Sequence, residues 1–286
     1  MGLTYYAPTD PADAIATLAS SPAAEVAILA GGTDLLFDMD AGRVAPRKLL
    51  SLRKLPWRWV RWEGEGLRIG STLPLSRLEV DSRLRTAFPA FFKALRAVGS
   101  AALRHRATVG GNLGRAAPAS DLLPVLLSYD AQVRLLGTEG RREIDLNEFL
   151  VASRRTTLHP SELIESVLLP EPRPSEYLWQ RVRPANDISQ VGVATAFSPS
   201  RSQWSIAIGG VLPRPIRVPG AEAALRSARP TDREIRKAAS EAALRAPFVT
   251  DKRATEAYRR RLLQTLTERA IRSVVASNPP KPGSSG

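Results

Sequence analysis

Residues 28–36 read ILAGGTDLL, an apolar run that ends on two glycines, a threonine and an aspartate. Glycine costs folding entropy and is retained mainly where φ must be positive or where another group approaches the main chain closely. Gly31 and Gly32 therefore mark either a tight turn or a place where a ligand meets backbone. Upstream, PTDPADAIATLAS (8–20) predicts a helix: Thr9 or Asp10 is able to cap it, Pro11 takes the first helical position, and Ile15, Leu18 and Ala19 share one face. EVAILA (25–30) reads as a fully buried strand, so the chain opens with helix, strand and glycine turn, an α/β beginning.

Downstream the pattern is mixed and without repeats. A strand-like GLRIGSTLPL (66–75) precedes a helical FPAFFKALRAVGS (88–100) and a second glycine-rich turn, TVGGNLG (108–114). A short apolar helix, SDLLPVLLSYD (120–130), is followed by the alternating stretches AQVRLLG (131–137) and ELIESVLLP (162–170). EPRPSE (171–176) completes three prolines in five residues from Pro170 and reads as a domain linker. Beyond it, ISQVGVATAF and WSIAIGGV alternate with period two, as in an antiparallel sheet. Helical patterns follow over 231–246 and 254–276, the latter with Leu263, Leu266, Ala270 and Val274 at helical spacing.

The totals narrow the chemistry. Of 286 residues 43% are apolar, and no uninterrupted apolar run approaches the roughly 18 to 20 needed to span a bilayer. MGLTYYAPTD lacks the basic-then-apolar order of a signal peptide, which makes the cytoplasm the expected compartment. Without cysteine, and with only His105 and His159, the sequence has no means of forming disulfides, thiolate-held clusters or an ordinary zinc site. Forty-one basic against 28 acidic residues leave a net charge of +13, carried by 35 arginines and six lysines. Such charge favours acidic ligands or partners, but alone it is weak ground for nucleic acid. RKLPWRWVRWEG (53–64), read as a strand, places Trp57 and Trp59 on one face; half-buried packing or a subunit interface explains it better than base stacking.

The two glycine turns, 31–34 and 108–112, are neither a Walker loop, since no lysine follows, nor a G-x-G-x-x-G fingerprint. Each alone is an ordinary turn. Together they suggest main-chain N–H groups from two loops gripping one pyrophosphate. Asp121, downstream of the second turn, is either a favourable charge at a helix N-terminus or an acceptor for sugar-like hydroxyls.

The stretches YYAPTDPADAIATLA, ILAGGTDLL, LRIGSTLPLSRL, GSAALRHRATVGGNLGRAAPASDLLP, ELIESVLLP, DISQVGVATAF, IAIGGVLPRPIRV and ATEAYRRRLL occur in an order that resembles the FAD-binding medium subunit of the molybdenum hydroxylases, over about residues 5–275. That family includes carbon monoxide dehydrogenase, xanthine dehydrogenase and 4-hydroxybenzoyl-CoA reductase. The resemblance implies an α+β fold: a two-subdomain FAD-binding domain of the PCMH/CO dehydrogenase flavoprotein type, then a smaller domain of antiparallel sheet plus helical bundle. The expected boundaries are 1–173, with subdomains of about 1–55 and 56–173, then 174–276, with a disordered tail over 277–286.

The resemblance further implies that Ala30, Gly31, Gly32, Thr33 and Asp34, with Thr108, Gly110, Gly111 and Asn112, hold the FAD diphosphate through main-chain N–H groups and the two threonine hydroxyls. Asp121 takes ribityl or neighbouring hydroxyls, while Ile164 and Ile188 approach the isoalloxazine ring. No catalytic side chain and no metal ligand is expected. Molybdopterin and iron–sulfur clusters belong to a large and a small partner subunit, in an assembly of heterotrimers that can dimerise. Electrons pass from those clusters through FAD to an external acceptor. The rivals are a scaffold of the same fold that has lost FAD and a free-standing flavin oxidoreductase. Trp179, where family members often carry lysine, is the departure that bears on FAD retention.

Overall fold

The computed structural model describes residues 2–183, 187–211 and 213–278, which form two compact units, each discontinuous in sequence. The first comprises residues 1–80, 98–117 and 130–170; the second comprises 81–97, 118–129 and 171–286. The part of the expected tail from residue 279 onward lies outside the described residues, and Ser277 closes a helix.

In the first unit, β1 (Thr4–Tyr6), β2 (Val26–Leu29) and β3 (Lys48–Ser51) form a parallel sheet in the order β1-β3-β2. Between β1 and β2 runs the helix Pro11–Ala19, whose N-cap is Asp10: its carboxylate accepts the Ala12 N–H at 2.8 Å. The helix buries Ala14, Ile15 and Leu18 against Leu50, Leu52 and Trp57. Each fully buried aliphatic side chain of this kind contributes about 1.5–3 kcal/mol. β2 lies at a sheet edge and is half-buried at all four residues rather than fully buried, because Ile28 borders a cavity.

The second sheet of this unit has the order β4-β5-β10-β6-β7 and is antiparallel throughout: β4 (Val60–Glu63), β5 (Gly66–Gly70), β6 (Gln132–Gly137), β7 (Gly140–Asp145) and β10 (Leu163–Leu169). The short pair β8 (Leu150–Ala152) and β9 (Arg155–Thr156) precedes β10. The β10–β6 register shifts between Ile164 and Ser166, a bulge of the kind that re-aims side chains beside sites. Trp57 lies ahead of β4 and is part of the core at 2% exposure, whereas Trp59 is half-buried, its Nε1–H bonded to the Pro56 carbonyl. The two tryptophans therefore do not share a strand face: the chain extends into β4 only from Val60.

The second unit holds a four-stranded antiparallel meander, β11 (Ser175–Gln180), β12 (Val191–Ser198), β13 (Gln203–Gly209) and β14 (Ile216–Arg217). Against it pack the helices Asp232–Arg245 and Glu256–Ser277, burying Ile235, Leu263, Ala270 and Val274 with Val193, Ile206 and Ile208. Thr231 and Glu234 close a capping box at the first of these helices. The apolar helix Leu122–Ser128 is buried at every residue, and it joins this unit although it lies far upstream in sequence. The proline-rich segment expected to be a linker is packed: Arg173 is 2% exposed and donates to the Ser128 carbonyl and to Glu171, and Glu171 accepts from Ser198 and Ser200.

Candidate functional site

The first unit contains a cavity of about 270 Å³. Its wall includes residues 30–35 of the first glycine turn, and Thr108, Gly110, Gly111, Asn112, Gly114 and Arg115 from the second. Ser71 follows β5, and Leu163 and Ile164 belong to β10. All ten residues expected at the diphosphate and at Ile164 are thus on one cavity wall. Asp121 and Ile188 belong to the second unit.

The glycines answer the question their sequence poses in different ways. A Cβ on Gly31 would sit 2.1 Å from the Arg106 carbonyl oxygen, so this residue is bare because the approach to the second turn passes directly against its main chain. Gly110 is bare for the same kind of reason: its Cβ would meet the Ser71 Cβ at 2.5 Å, and its N–H donates to the Ser71 carbonyl at 3.1 Å. Gly32 has φ of +80°, the left-handed region that favours glycine. Gly111 is less crowded, with the Thr108 Oγ1 at 3.1 Å and Ala30 Cβ at 3.9 Å as the neighbours a Cβ would meet, and Gly114 is open, with only the Ile164 Cδ1 at 3.7 Å.

Main-chain donors differ just as much. In the second turn the Gly110 N–H is taken by Ser71, the Gly111 N–H donates to Thr108 Oγ1 at 2.9 Å, and the Asn112 N–H donates to the Thr108 carbonyl at 3.1 Å. Thr108 is the N-cap of the helix Val109–Arg115, which consumes these donors. In the first turn, among the described residues, the N–H groups of Gly32, Thr33 and Asp34 make no protein hydrogen bond. Successive main-chain N–H groups around a positive-φ turn make an anion-binding concavity. Such a run on a cavity wall fits a diphosphate, and these residues would hold it.

The acidic side chains beside this concavity are neutralised. Arg115 meets Asp38 at 2.6 Å and Asp34 at 3.4 Å, and Arg43 Nε donates to Asp38 at 2.7 Å. The Arg43 and Arg115 hydrogen bonds hold the Asp38 carboxyl below the ordinary carboxylate range. An incoming anion is therefore not opposed by two bare carboxylates. Sequence reading missed Arg115, Asp38 and Ser71, because nothing in the sequence marks them as neighbours of the glycine turns.

Asp121 stands in a different setting. It occupies the N-cap position of the helix Leu122–Ser128 without capping it; the Ser120 hydroxyl does so instead. Its Oδ1 accepts from the Tyr177 hydroxyl at 2.8 Å and the Ser189 hydroxyl at 2.6 Å, and its Oδ2 accepts from Arg181 Nη2 at 2.8 Å. Burial raises the Asp121 carboxyl above its usual range in spite of these donors. Trp179 stacks on Tyr177 with ring centroids 5.2 Å apart, and the Arg181 guanidinium lies 5.6 Å from the Trp179 centroid. Ile188 is 46% exposed.

Comparison with known proteins decides the family. Residues 1–172 match the FAD binding domain in molybdopterin dehydrogenase, and residues 177–274 match the CO dehydrogenase flavoprotein C-terminal domain. The chain belongs to this flavoprotein family. It is 30% identical to the xanthine dehydrogenase FAD-binding subunit of Escherichia coli O157:H7 over 284 residues, 96% of each chain. It is 25% identical to the carbon monoxide dehydrogenase medium chain of Hydrogenophaga pseudoflava, covering 77% of this chain and 79% of that one. A solved carbon monoxide dehydrogenase from Hydrogenophaga pseudoflava, lacking the Mo-pyranopterin moiety, has the same fold: TM-score 0.90 at 24% identity, over 98% of this chain and 99% of that one. The expected α+β architecture, an FAD-binding domain followed by a flavoprotein C-terminal domain, is therefore the one observed. The relatives are oxidoreductase subunits. Among the described residues no helix is long and apolar enough to cross a membrane.

Proposed function

We propose that this chain is the electron-transferring flavoprotein subunit of a molybdenum hydroxylase, holding FAD between iron–sulfur clusters on a small partner and an external acceptor. The observation that carries the reading is the run of N–H groups at Gly32, Thr33 and Asp34 on the cavity wall, unpaired among the described residues and bordered by Arg115. FAD, when bound, supplies one- and two-electron redox chemistry that no side chain provides. The chain's own residues bind and orient it. The first turn presents main-chain donors to the diphosphate, and Thr33 adds its hydroxyl. Thr108 keeps the second turn in shape, and Gly111 offers a surface without a side chain. Under the same reading Asp121 accepts a cofactor hydroxyl, and Ile164 and Ile188 face the isoalloxazine ring.

The partners in this reading are a cysteine-bearing iron–sulfur small subunit and a molybdopterin large subunit, assembled as heterotrimers that can pair. Absence of cysteine in this chain fits that division of labour. The test has two stages. FAD-depleted protein titrated with FAD should regain an oxidised-flavin spectrum; a folded protein that takes up no FAD would support the scaffold rival. Candidate substrates mixed anaerobically should bleach the flavin only in the reconstituted complex. Substrate-driven bleaching in the isolated chain would establish a free-standing oxidoreductase instead.

A further inference from the structure

We propose that Arg115 is the cation of the diphosphate site in this chain: when FAD binds, its guanidinium gives up Asp34 and donates to phosphate oxygens instead. The inference rests on the FAD reading above and adds a side-chain charge to a site otherwise built from main-chain donors. Arg115 closes the helix Val109–Arg115 that grows out of the second turn, yet its side chain reaches to the first. Its Nε lies 3.4 Å from Asp34 Oδ1, and its Nη1 lies 2.6 Å from Asp38 Oδ2. Asp34 is itself a member of the donor run, with an N–H unpaired among the described residues, so the guanidinium stands beside those donors. The Arg115 side chain is 23% exposed and lines the cavity, which leaves it accessible to a ligand there.

The two ion pairs of Arg115 differ in how readily they are surrendered. Asp38 is buried, and Arg43 already matches its charge, with Nε at 2.7 Å and Nη2 at 2.6 Å from Oδ1. Its contact with Arg115 therefore serves to hold one edge of the guanidinium in place. The Asp34 contact is long, and the Asp34 side chain is 59% exposed. An exposed pair of this kind contributes little, and its carboxylate can turn to water at small cost. A diphosphate presents oxygens at the main-chain donors and matches the planar fork of an arginine, a stronger bond than the one given up. The rival role is masking: a cation in the last helical turn is favourable in its own right, and Arg115 cancels the charge of carboxylates that would otherwise repel an anion.

The test is a double-mutant cycle on FAD-free protein: wild type, Arg115→Gln, Asp34→Asn and the double variant, each checked for folding by thermal melting. FAD affinity is read by titration and ADP affinity by competition against FAD. Arg115→Gln should weaken FAD and ADP by the same factor, about tenfold for a lost hydrogen bond to a charged acceptor. Asp34→Asn frees the guanidinium and should bind FAD at least as tightly as wild type. In that background Arg115→Gln should still cost the full factor, because the arginine acts on the phosphate and not on Asp34. Arg115→Lys, which still offsets the carboxylate charge but lacks the planar fork, should bind FAD more weakly than wild type, so the comparison stands even where the glutamine variant fails to fold. Wild-type FAD affinity in both Arg115→Gln and Arg115→Lys would overturn the inference. Disappearance of the loss in the Asp34→Asn background would overturn it in favour of masking, and loss of FAD affinity with ADP unaffected would overturn it by moving the arginine to the flavin half. Failure of the folded wild type to bind FAD at all is a different result, and it would overturn the FAD reading together with this one.

Discussion

The two glycine turns are similar as strings, GGTD and VGGN, yet they do opposite things with their main chain. The second turn spends its N–H groups internally, on Ser71 and on both oxygens of Thr108. The first leaves three consecutive donors, on residues of the cavity wall, without a partner among the described residues. Under the proposed function one turn is scaffold and the other is receptor; the Arg106 carbonyl, two residues ahead of the second turn, packs directly against Gly31 of the first. The lesson is that a bare glycine signals close approach, and only the surrounding contacts say whether protein or ligand does the approaching.

The largest effect should come from these close approaches. Gly31→Ala and Gly110→Ala each place a methyl group within 2.5 Å of fixed atoms, so main chain must move. Each should cost about 3 kcal/mol or more in apoprotein stability, the upper end for overpacking, measured by denaturant unfolding. Near-wild-type stability in Gly31→Ala would mean that the turns are not braced against each other, and in Gly110→Ala that the second turn is not braced against Ser71. Next comes Gly32→Ala, which forces a side chain into the left-handed region at a cost of about 1–2 kcal/mol and distorts the donor run, so that FAD affinity should fall as well.

Gly111→Ala sharpens the comparison because it separates stability from binding. Its Cβ meets the Thr108 hydroxyl at 3.1 Å and the Ala30 Cβ at 3.9 Å, no main chain among them, and alanine gains about 0.5–1 kcal/mol of helix preference over glycine. Apoprotein stability should stay within about 1 kcal/mol of wild type while FAD affinity falls about tenfold or more. Unchanged FAD affinity would show that the ligand does not approach the second turn closely.

The smallest effect concerns acid. Arg43, then Arg115, keep the folded Asp38 carboxyl below the unfolded value of 3.8. A depressed folded value means that the folded state binds fewer protons, so the stabilisation is present above about pH 4 and is lost as pH falls through the folded value. Arg43 is 46% exposed, which screens the pair and keeps the effect modest. The melting difference between wild type and Asp38→Asn should therefore shrink on going from pH 6 to below pH 3.5. A constant difference across that range would remove the ion pairs as its source.

Much of this molecule follows from local chemistry alone. Asp10 and Pro11 start a helix because a carboxylate can take the orphan N–H two residues on and proline loses nothing at the first position. Period-two alternation makes β12 and β13 adjacent strands, and the spacing of Leu263, Leu266, Ala270 and Val274 makes one buried helix face. The order of motifs likewise suffices for the family, since ordered similarity along the whole chain needs no coordinates. What the sequence could not determine is which polar groups are already used. Gly31 is bare because of Arg106, 75 positions later, and Asp121 is held by Tyr177, Arg181 and Ser189, 56 to 68 positions later. The same distance hid the packing of the proline-rich segment, the sharing of residues 81–97 and 118–129 with the C-terminal unit, and the place of Ser71 on the cavity wall. Hydrogen bonds are saturable and short-ranged, so whether a donor is free for a ligand is settled only when tertiary structure has distributed the acceptors.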